Sequence, residues 1–561
     1  MALGGNLNDL PYGEASPIMA DYGHYPAFDA KQRPIHVLVA GMGISGIALA
    51  IELKKRPNIT FEIFEKNADV GGTWFENTYP GVACDLASHV YQYTFAWNPN
   101  WTSRFAPGHE IRKYYSDVAT KFDVRRFAHF NTRVNSATWD EVSGKWTVLV
   151  TGKGDEAPRA VKGDVFVNAG GVLNNWRWPD IEGLHDFRGT LLHTANWNES
   201  PEFEGKTVAV IGSGASGVQI LPQVQPKAAH VLQFVRTPTY LLPFVGFGPE
   251  HEKWNEPYSE EHKQRLRTDP EYYLQFRKTL EKEHHGFAVM RRDSKEQKEA
   301  RKVVTEAMRK ILKSKDLQDK LIPNFEFWCN RPSPGLLFLE AVQKENVEVL
   351  TTSITRFVPE GIQTADGQVH HVDAIICATG FDVSFRPHYD IIGQDGLNLS
   401  QLWKQKSAEG YLGVSVAGFP NYFSLLGPNS PIGNGSVTAT IEYLSKYICQ
   451  ALEKMQHDQI KSMRVKRSVE VAFNGYAQAV HKDLVWTGDC KSFYKGKDGR
   501  IVAMWPGAGS HYLHAIEKPR FEDYEIDYIH GHPFVFLGDG STQREVSGED
   551  MTWYLKECQY L

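Results

Sequence analysis

Two short glycine patterns carry the first chemical signal in this chain. G-x-G-x-x-G stands at Gly41, Gly43 and Gly46 and again at Gly212, Gly214 and Gly217. Glycines at that spacing permit a tight turn, let a diphosphate approach the backbone, and seat it on the N-terminus of the following helix. Each pattern follows an apolar run suited to a buried strand, residues 36–40 and 207–211, which is the context the mechanism requires. Glu65 and Arg236 each lie 24 residues after the first glycine of their own loop, where the next strand should end. A carboxylate there accepts hydrogen bonds from ribose hydroxyls, whereas a guanidinium answers a 2′-phosphate. The first loop therefore reads as an FAD or NAD site and the second as an NADP site. A chain holding both is expected to pass hydride between them.

The remaining reactive residues narrow what receives the electrons. Six cysteines stand at 84, 329, 377, 449, 490 and 558, with no C-x-x-C, so neither a zinc site nor a redox pair is expected. Sparse thiols suit a reducing compartment and a cytoplasmic protein. His284-His285 and His370-His371 lack a third ligand at useful spacing and are expected at the surface, so no metal is expected. Without a thiol pair or a metal cluster, dioxygen is the leading electron acceptor. The net charge of −6 offers nothing to nucleic acid or to an anionic membrane. The apolar run 35–51 contains three glycines and resolves into strand, loop and helix rather than a membrane span. The first 30 residues hold no Lys or Arg, so neither a signal nor a transit peptide is expected. Residues 558–561 fit a prenylation box only formally, with no aliphatic middle residue, and are expected to be an ordinary chain end.

These loops must be positioned by alternating strands and helices. With 561 residues, 42% hydrophobic and 23% charged, the composition is that of a globular protein of several domains. Helical spacing at 44–55 and a strand at 59–65 complete the first unit. A hairpin is predicted from 136–141 and 146–150 about Ser143-Gly144, and further strands at 165–167 and 373–377. Residues 251–319 read as charged helices with one apolar stripe, Val304, Met308, Ile311 and Leu312, that serves as a packing face. Beyond residue 383 the pattern predicts loops and one helix near 437–455. The fold class is α/β, with two doubly wound dinucleotide-binding domains.

Longer motifs bring in a resemblance. Phe187, Gly189, His193 and Trp197 spell F-x-G-x-x-x-H-x-x-x-W, and the residue after them is Asn198. Gly71-Gly72-Thr73-Trp74 through Tyr79-Pro80-Gly81 to Asp85 spells G-G-x-W-x-x-x-x-Y-P-G-x-x-x-D. With 378–382 and 418–428, these resemble the type I Baeyer–Villiger monooxygenases over about residues 35–512, and the stretch Cys329-Asn-Arg-Pro-Ser-Pro-Gly335 looks closest to a fungal and actinobacterial branch. The resemblance implies FAD, NADPH, O2 and a ketone, with one oxygen inserted beside the carbonyl through a peroxide adduct on reduced FAD. An ester or lactone is the product. Oxygenation mainly at sulfur or nitrogen, uncoupled NADPH oxidation, and a silent nucleotide-binding protein are the alternatives. Arg331 matches the catalytic arginine, Asp85 the carboxylate that positions it, and His193 a linker histidine of catalytic or structural role. Gly72, Thr73, Trp74, Asp85, Tyr91 and Val134 match FAD positions. Ser213, Ser216, Gln219 and Thr237 join Arg236 at the NADP positions, while Asn330 replaces the family's lysine. The implied division is an arm at 1–33, an FAD domain at 34–175 and 383–561, and a linker at 176–203. An NADP domain would span 204–249 and 325–382, with a helical insert at 250–324.

Overall fold

The computed structural model describes residues 32–197, 201–243, 255–283, 285–529, 531 and 533–555. Almost all of the expected arm, part of the helical insert, Asn198, His284 and residues 558–561 lie outside the described residues.

Strand β1 (Ile35–Ala40) leads through the first glycine loop into α1 (Ile44–Leu53) and back along β2 (Ile59–Phe64). Val37, Leu38 and Val39 are all fully buried, as continuous apolar strands of parallel sheets are when both faces are covered. Ala128–His129 extends the sheet beyond β2, and Val165–Asn168 and Tyr422–Ser424 extend it beyond β1. All five strands are parallel.

The second unit repeats this plan. Strand β3 (Thr207–Ile211), helix α2 (Ala215–Val224) and strand β4 (His230–Phe234) occupy the places of β1, α1 and β2. Val347–Leu350 lies beyond β4, while Ala374–Cys377 and Thr190–His193 lie on the other side of β3. This sheet too is wholly parallel. Each unit therefore presents a doubly wound sheet with its glycine loop at the carboxyl end of the central strand, where such sheets bind nucleotides.

Antiparallel strands accompany each sheet. The predicted hairpin is longer than its spacing suggested, Thr132–Asp140 against Lys145–Gly152, with Arg159–Gly163 as a third strand. Ile354–Val358, Gly361–Thr364 and Val369–His371 form its smaller counterpart in the second unit. Helices Glu260–Thr268, Pro270–Glu283, Lys295–Ile311 and Lys315–Leu321 fill the described part of the insert. Val304, Met308 and Leu312 are fully buried, and Ile311 packs partly buried beside them. After residue 383 the chain returns to the first sheet, and Val437–His457 lays Ile441, Leu444, Ile448 and Leu452 against α1.

Three expectations need correction. Cys329 and Cys490 form a disulfide across 161 residues, with Cα atoms 6.0 Å apart. Local spacing could not reveal it, because the pair meets only when the C-terminal segment folds back. It also weakens the inference of a reducing compartment. His370 is buried against Phe234 and bonded to Thr364, not at the surface, because alternate residues of its strand face inward. The region after 383 holds more regular structure than predicted, including helix Arg467–His481 and the strand pair Ile460–Val465 with Tyr524–Tyr528. Among the described residues no helix is long and apolar enough to cross a membrane.

Candidate active site

The two glycine loops are built alike. Gly41 and Gly212 have φ of +101° and +116°, which side chains rarely adopt. A Cβ on either would press within 3 Å of a returning-strand carbonyl, Ala169 or Ala378. At Gly46 and Gly217 a Cβ would meet the oxygen of Gly41 or Gly212 at 2.2 and 2.1 Å, so these glycines hold the helix against its own loop. The middle glycines differ. A Cβ on Gly214 would meet nothing within 4 Å, and one on Gly43 only Gly72 at 3.4 Å. The middle position thus faces open space at Gly214 and only the backbone of Gly72 at Gly43, each at the N-terminus of a ten-residue helix.

The strand ends carry the predicted side chains. Glu65 is 3% exposed, and its carboxylate accepts from the N–H groups of Met42 at 2.7 Å and Asn67 at 2.8 Å. Burial raises its pKa while these two bonds lower it. Arg236 is exposed, and no described carboxylate pairs with it. Ser213 donates to the carbonyl of Thr237 at 3.0 Å, which ties the second loop to the residue after Arg236. Val134 lies in the core beside Leu38 and Phe64, next to a bulge in its strand.

Residues 71–85 join the two units. Gly71 and Gly72 lie against the first loop, with Gly71 N–H donating to Met42. Thr73 opens the short helix Thr73–Glu76. Trp74 donates to the Tyr91 hydroxyl at 3.2 Å. The far end of the segment presses on α2: the Tyr79 hydroxyl bonds Gln219 at 2.6 Å, and Gln219 donates to the Ala83 carbonyl at 2.9 Å. Ser216 faces the same phenol. Gly81, at φ +83°, permits this approach, because a Cβ there would stand 2.7 Å from the Gln219 carbonyl. Thr78 donates to the carbonyl of Trp197, the last residue of the F-x-G fingerprint, at 3.0 Å.

Asp85 ends this segment and meets Arg331, which arrives from the second unit. Arg331 donates from Nε to Oδ2 at 2.7 Å and from Nη2 to Oδ1 at 2.8 Å. The carboxylate of Asp85 holds the guanidinium well above its ordinary pKa, against the opposing effect of burial. The result is a permanent cation, oriented by a two-point contact and a third exposed. Tyr494 is buried near both charges, and burial pushes its phenol up to about 12. No local motif marks Tyr494; it stands four residues from Cys490, whose partner Cys329 stands two before Arg331.

His193 sits elsewhere, at the end of an edge strand of the second sheet. Its Nδ1 accepts from Ala195 N–H at 3.1 Å, so the ring proton belongs on Nε2, which faces the Thr379 hydroxyl at 3.2 Å. Trp176 stacks on it at 4.7 Å and Trp178 meets it edge-on at 5.6 Å. Burial lowers its pKa to about 4, so it is neutral near pH 7. Both nitrogens are engaged where two interdomain passages, 176–197 and 378–382, run side by side. The resemblance to the family fingerprint singled out the histidine; its two tryptophan partners carried no signal.

Comparison with known proteins agrees with this arrangement. Residues 32–249 match a family described as flavin-binding monooxygenase-like. The chain is 39% identical to the FAD-binding monooxygenase tazF of Aspergillus terreus, over 94% of this chain and 96% of that protein. It is 34% identical to a Baeyer–Villiger monooxygenase of Pseudomonas aeruginosa, over 85% and 89% of the two chains. Its fold overlays cyclohexanone monooxygenase from Rhodococcus sp. Phi1 bound to NADP+ with a TM-score of 0.76 at 25% identity, covering 89% of this chain and all of that one. Two glycine cradles, a carboxylate and a guanidinium at matching strand ends, and relatives along nearly the whole chain place this protein in the flavin-binding monooxygenase family.

Proposed function

We infer that this chain is a Baeyer–Villiger monooxygenase that takes a ketone, dioxygen, NADPH and a proton and returns an ester or lactone, NADP+ and water. It is a flavin-dependent monooxygenase, and its cofactors are FAD and NADPH. FAD, once reduced by NADPH, supplies the oxygen activation.

The chain's own residues position and stabilise. The Gly41–Gly46 loop with Glu65 would hold FAD, and Gly72, Thr73, Trp74 and Tyr91 would line it. The Gly212–Gly217 loop with Arg236 would hold the diphosphate and 2′-phosphate of NADPH. We assign FAD to 34–175 with 383–561, NADPH to 204–249 with 325–382, the linker to 176–203, and a helical insert to 250–324. The permanent Arg331 cation carries this reading. Asp85 engages its Nε and Nη2, and the Nη1 edge is left to face the negative charge that develops on oxygen as the carbonyl is attacked. His193, neutral and bonded through both nitrogens, would act by holding the linker rather than by moving a proton. NADPH is regenerated inside cells, and we place the enzyme in the cytoplasm.

The test is a gas-chromatographic screen of linear, cyclic and aryl ketones with the purified yellow protein and NADPH. Ester formed in step with NADPH use is expected. Oxidation of thioethers or amines in preference to every ketone would assign the chain to heteroatom oxygenation instead. Arg331→Ala should keep FAD and its reduction by NADPH yet lose about 100- to 1000-fold in ester formation, as when one oxyanion donor is removed, with oxygen released as hydrogen peroxide. Near-native ester formation would remove Arg331 from the mechanism.

A further inference from the structure

The Cys329–Cys490 disulfide joins two segments that both enter the candidate site. Cys329 is fully buried and Cys490 is 4% exposed, so the bond lies in the core beneath the site. Arg331 follows Cys329 by two residues, and Tyr494, buried near Arg331 and Asp85, follows Cys490 by four. The bond thus closes a short covalent path between the cation and the aromatic wall beside it.

On the C-terminal side Tyr494 packs in a buried cluster with Trp486, Ile501 and Met290, against which Trp328 of the arginine loop leans. Lys495 donates to the carbonyls of Gly488 and Cys490, which folds the turn on itself. Arg292 of the insert donates to Thr487 at 2.8 Å and pairs with Glu326, ahead of Cys329, at 3.4 Å. Phe493, between Cys490 and Tyr494, is 46% exposed. The crosslink is the one covalent tie between this turn and the arginine loop.

We propose that Cys329 and Cys490 are positioning residues whose disulfide seats Arg331 and Tyr494 in the site, so that opening it diverts oxygen from ester to hydrogen peroxide. This rests on the oxygenase reading above. A dithiol opens the bond by exchange: each protein sulfur gains one electron and one proton, and the dithiol closes to its own cyclic disulfide. Air or oxidised glutathione reverses the step.

The experiment uses FAD-loaded enzyme purified without reductant. Alkylation and peptide mapping after denaturation should find Cys329 crosslinked to Cys490, with Cys84, Cys377 and Cys449 alkylated. On treatment with dithiothreitol, hydrogen–deuterium exchange should rise in residues 326–335 and 486–496. FAD content and KM for NADPH should stay within about twofold, while ester formed per NADPH falls about tenfold and peroxide rises to match, a loss in the range expected of a small misplacement. Reoxidation should restore coupling in the native enzyme. The Cys329→Ser, Cys490→Ser double variant should behave as the reduced enzyme and ignore dithiothreitol. An uncrosslinked native pair, or reduced enzyme with native exchange and coupling, overturns the proposal. If the native enzyme oxygenates no ketone, the functional reading fails, while mapping and exchange still decide whether the clamp exists.

Discussion

Arg236 and His193 show how one side chain separates a charge effect from a packing effect. Arg236 is exposed and unpaired with any described carboxylate, so its guanidinium is available to a 2′-phosphate. NADPH should be preferred over NADH by at least about 10-fold in kcat/KM, the worth of one charge-assisted contact. Arg236→Ala should raise KM for NADPH far more than for NADH in steady-state kinetics; equal use of both by the native enzyme would sink the assignment. His193 titrates in the opposite sense to a salt-bridged histidine. Its pKa falls from an ordinary value near ~6.5 to about 4 on folding, so its contribution to stability is complete above about pH 6.5 and is lost as pH falls toward 4. His193→Gln should flatten that part of the stability curve by about 2 kcal/mol, read from urea midpoints at pH 7 and pH 4.5. An unchanged slope would show that folding does not shift the pKa of His193.

At the scale of the element, the strand–loop–helix units make their glycines unequal. Gly46 stands where a Cβ would meet a backbone oxygen at 2.2 Å, whereas one on Gly43 would only touch Gly72 at 3.4 Å. Gly46→Ala should therefore impair folding itself, visible as loss of soluble protein or of cooperative unfolding. Gly43→Val should spare the apoprotein more and strike FAD, because its branched side chain fills the diphosphate's path. Absorbance per chain and far-ultraviolet circular dichroism on the same samples separate the two outcomes. A fully yellow, active Gly43→Val would show that the first loop does not hold the flavin. The segment 71–85 has a comparable division of labour: Gly71-Gly72 pack on one nucleotide loop, while Tyr79 and Gly81 grip α2 of the other unit. One stretch of chain therefore sets the distance between the two glycine loops.

Across the whole molecule, the disulfide closes a loop of 161 residues that runs from the second unit back to the first. Constraint of the unfolded chain over that length should stabilise the fold by roughly 3–5 kcal/mol, so reduction should lower the urea midpoint clearly in the native enzyme and not in Cys490→Ser. Both nucleotide units are legible in the sequence, because glycine spacing, strand hydrophobicity and the residue 24 positions on are local properties of the backbone they build. The same holds for the stripe Val304, Met308 and Leu312, whose burial follows from helical period alone. Arg331 and Asp85 are legible only through resemblance, since 246 residues separate them and no local rule pairs them. The partners of His193, the burial of His370, the grip of Tyr79 on α2 and the Cys329–Cys490 bond are not legible at all. The sequence determined which segments become strands, loops and helices, through short-range spacing and polarity. Only the tertiary structure decided which distant segments meet, because each such contact depends on how two sheets and a returning C-terminal chain pack together.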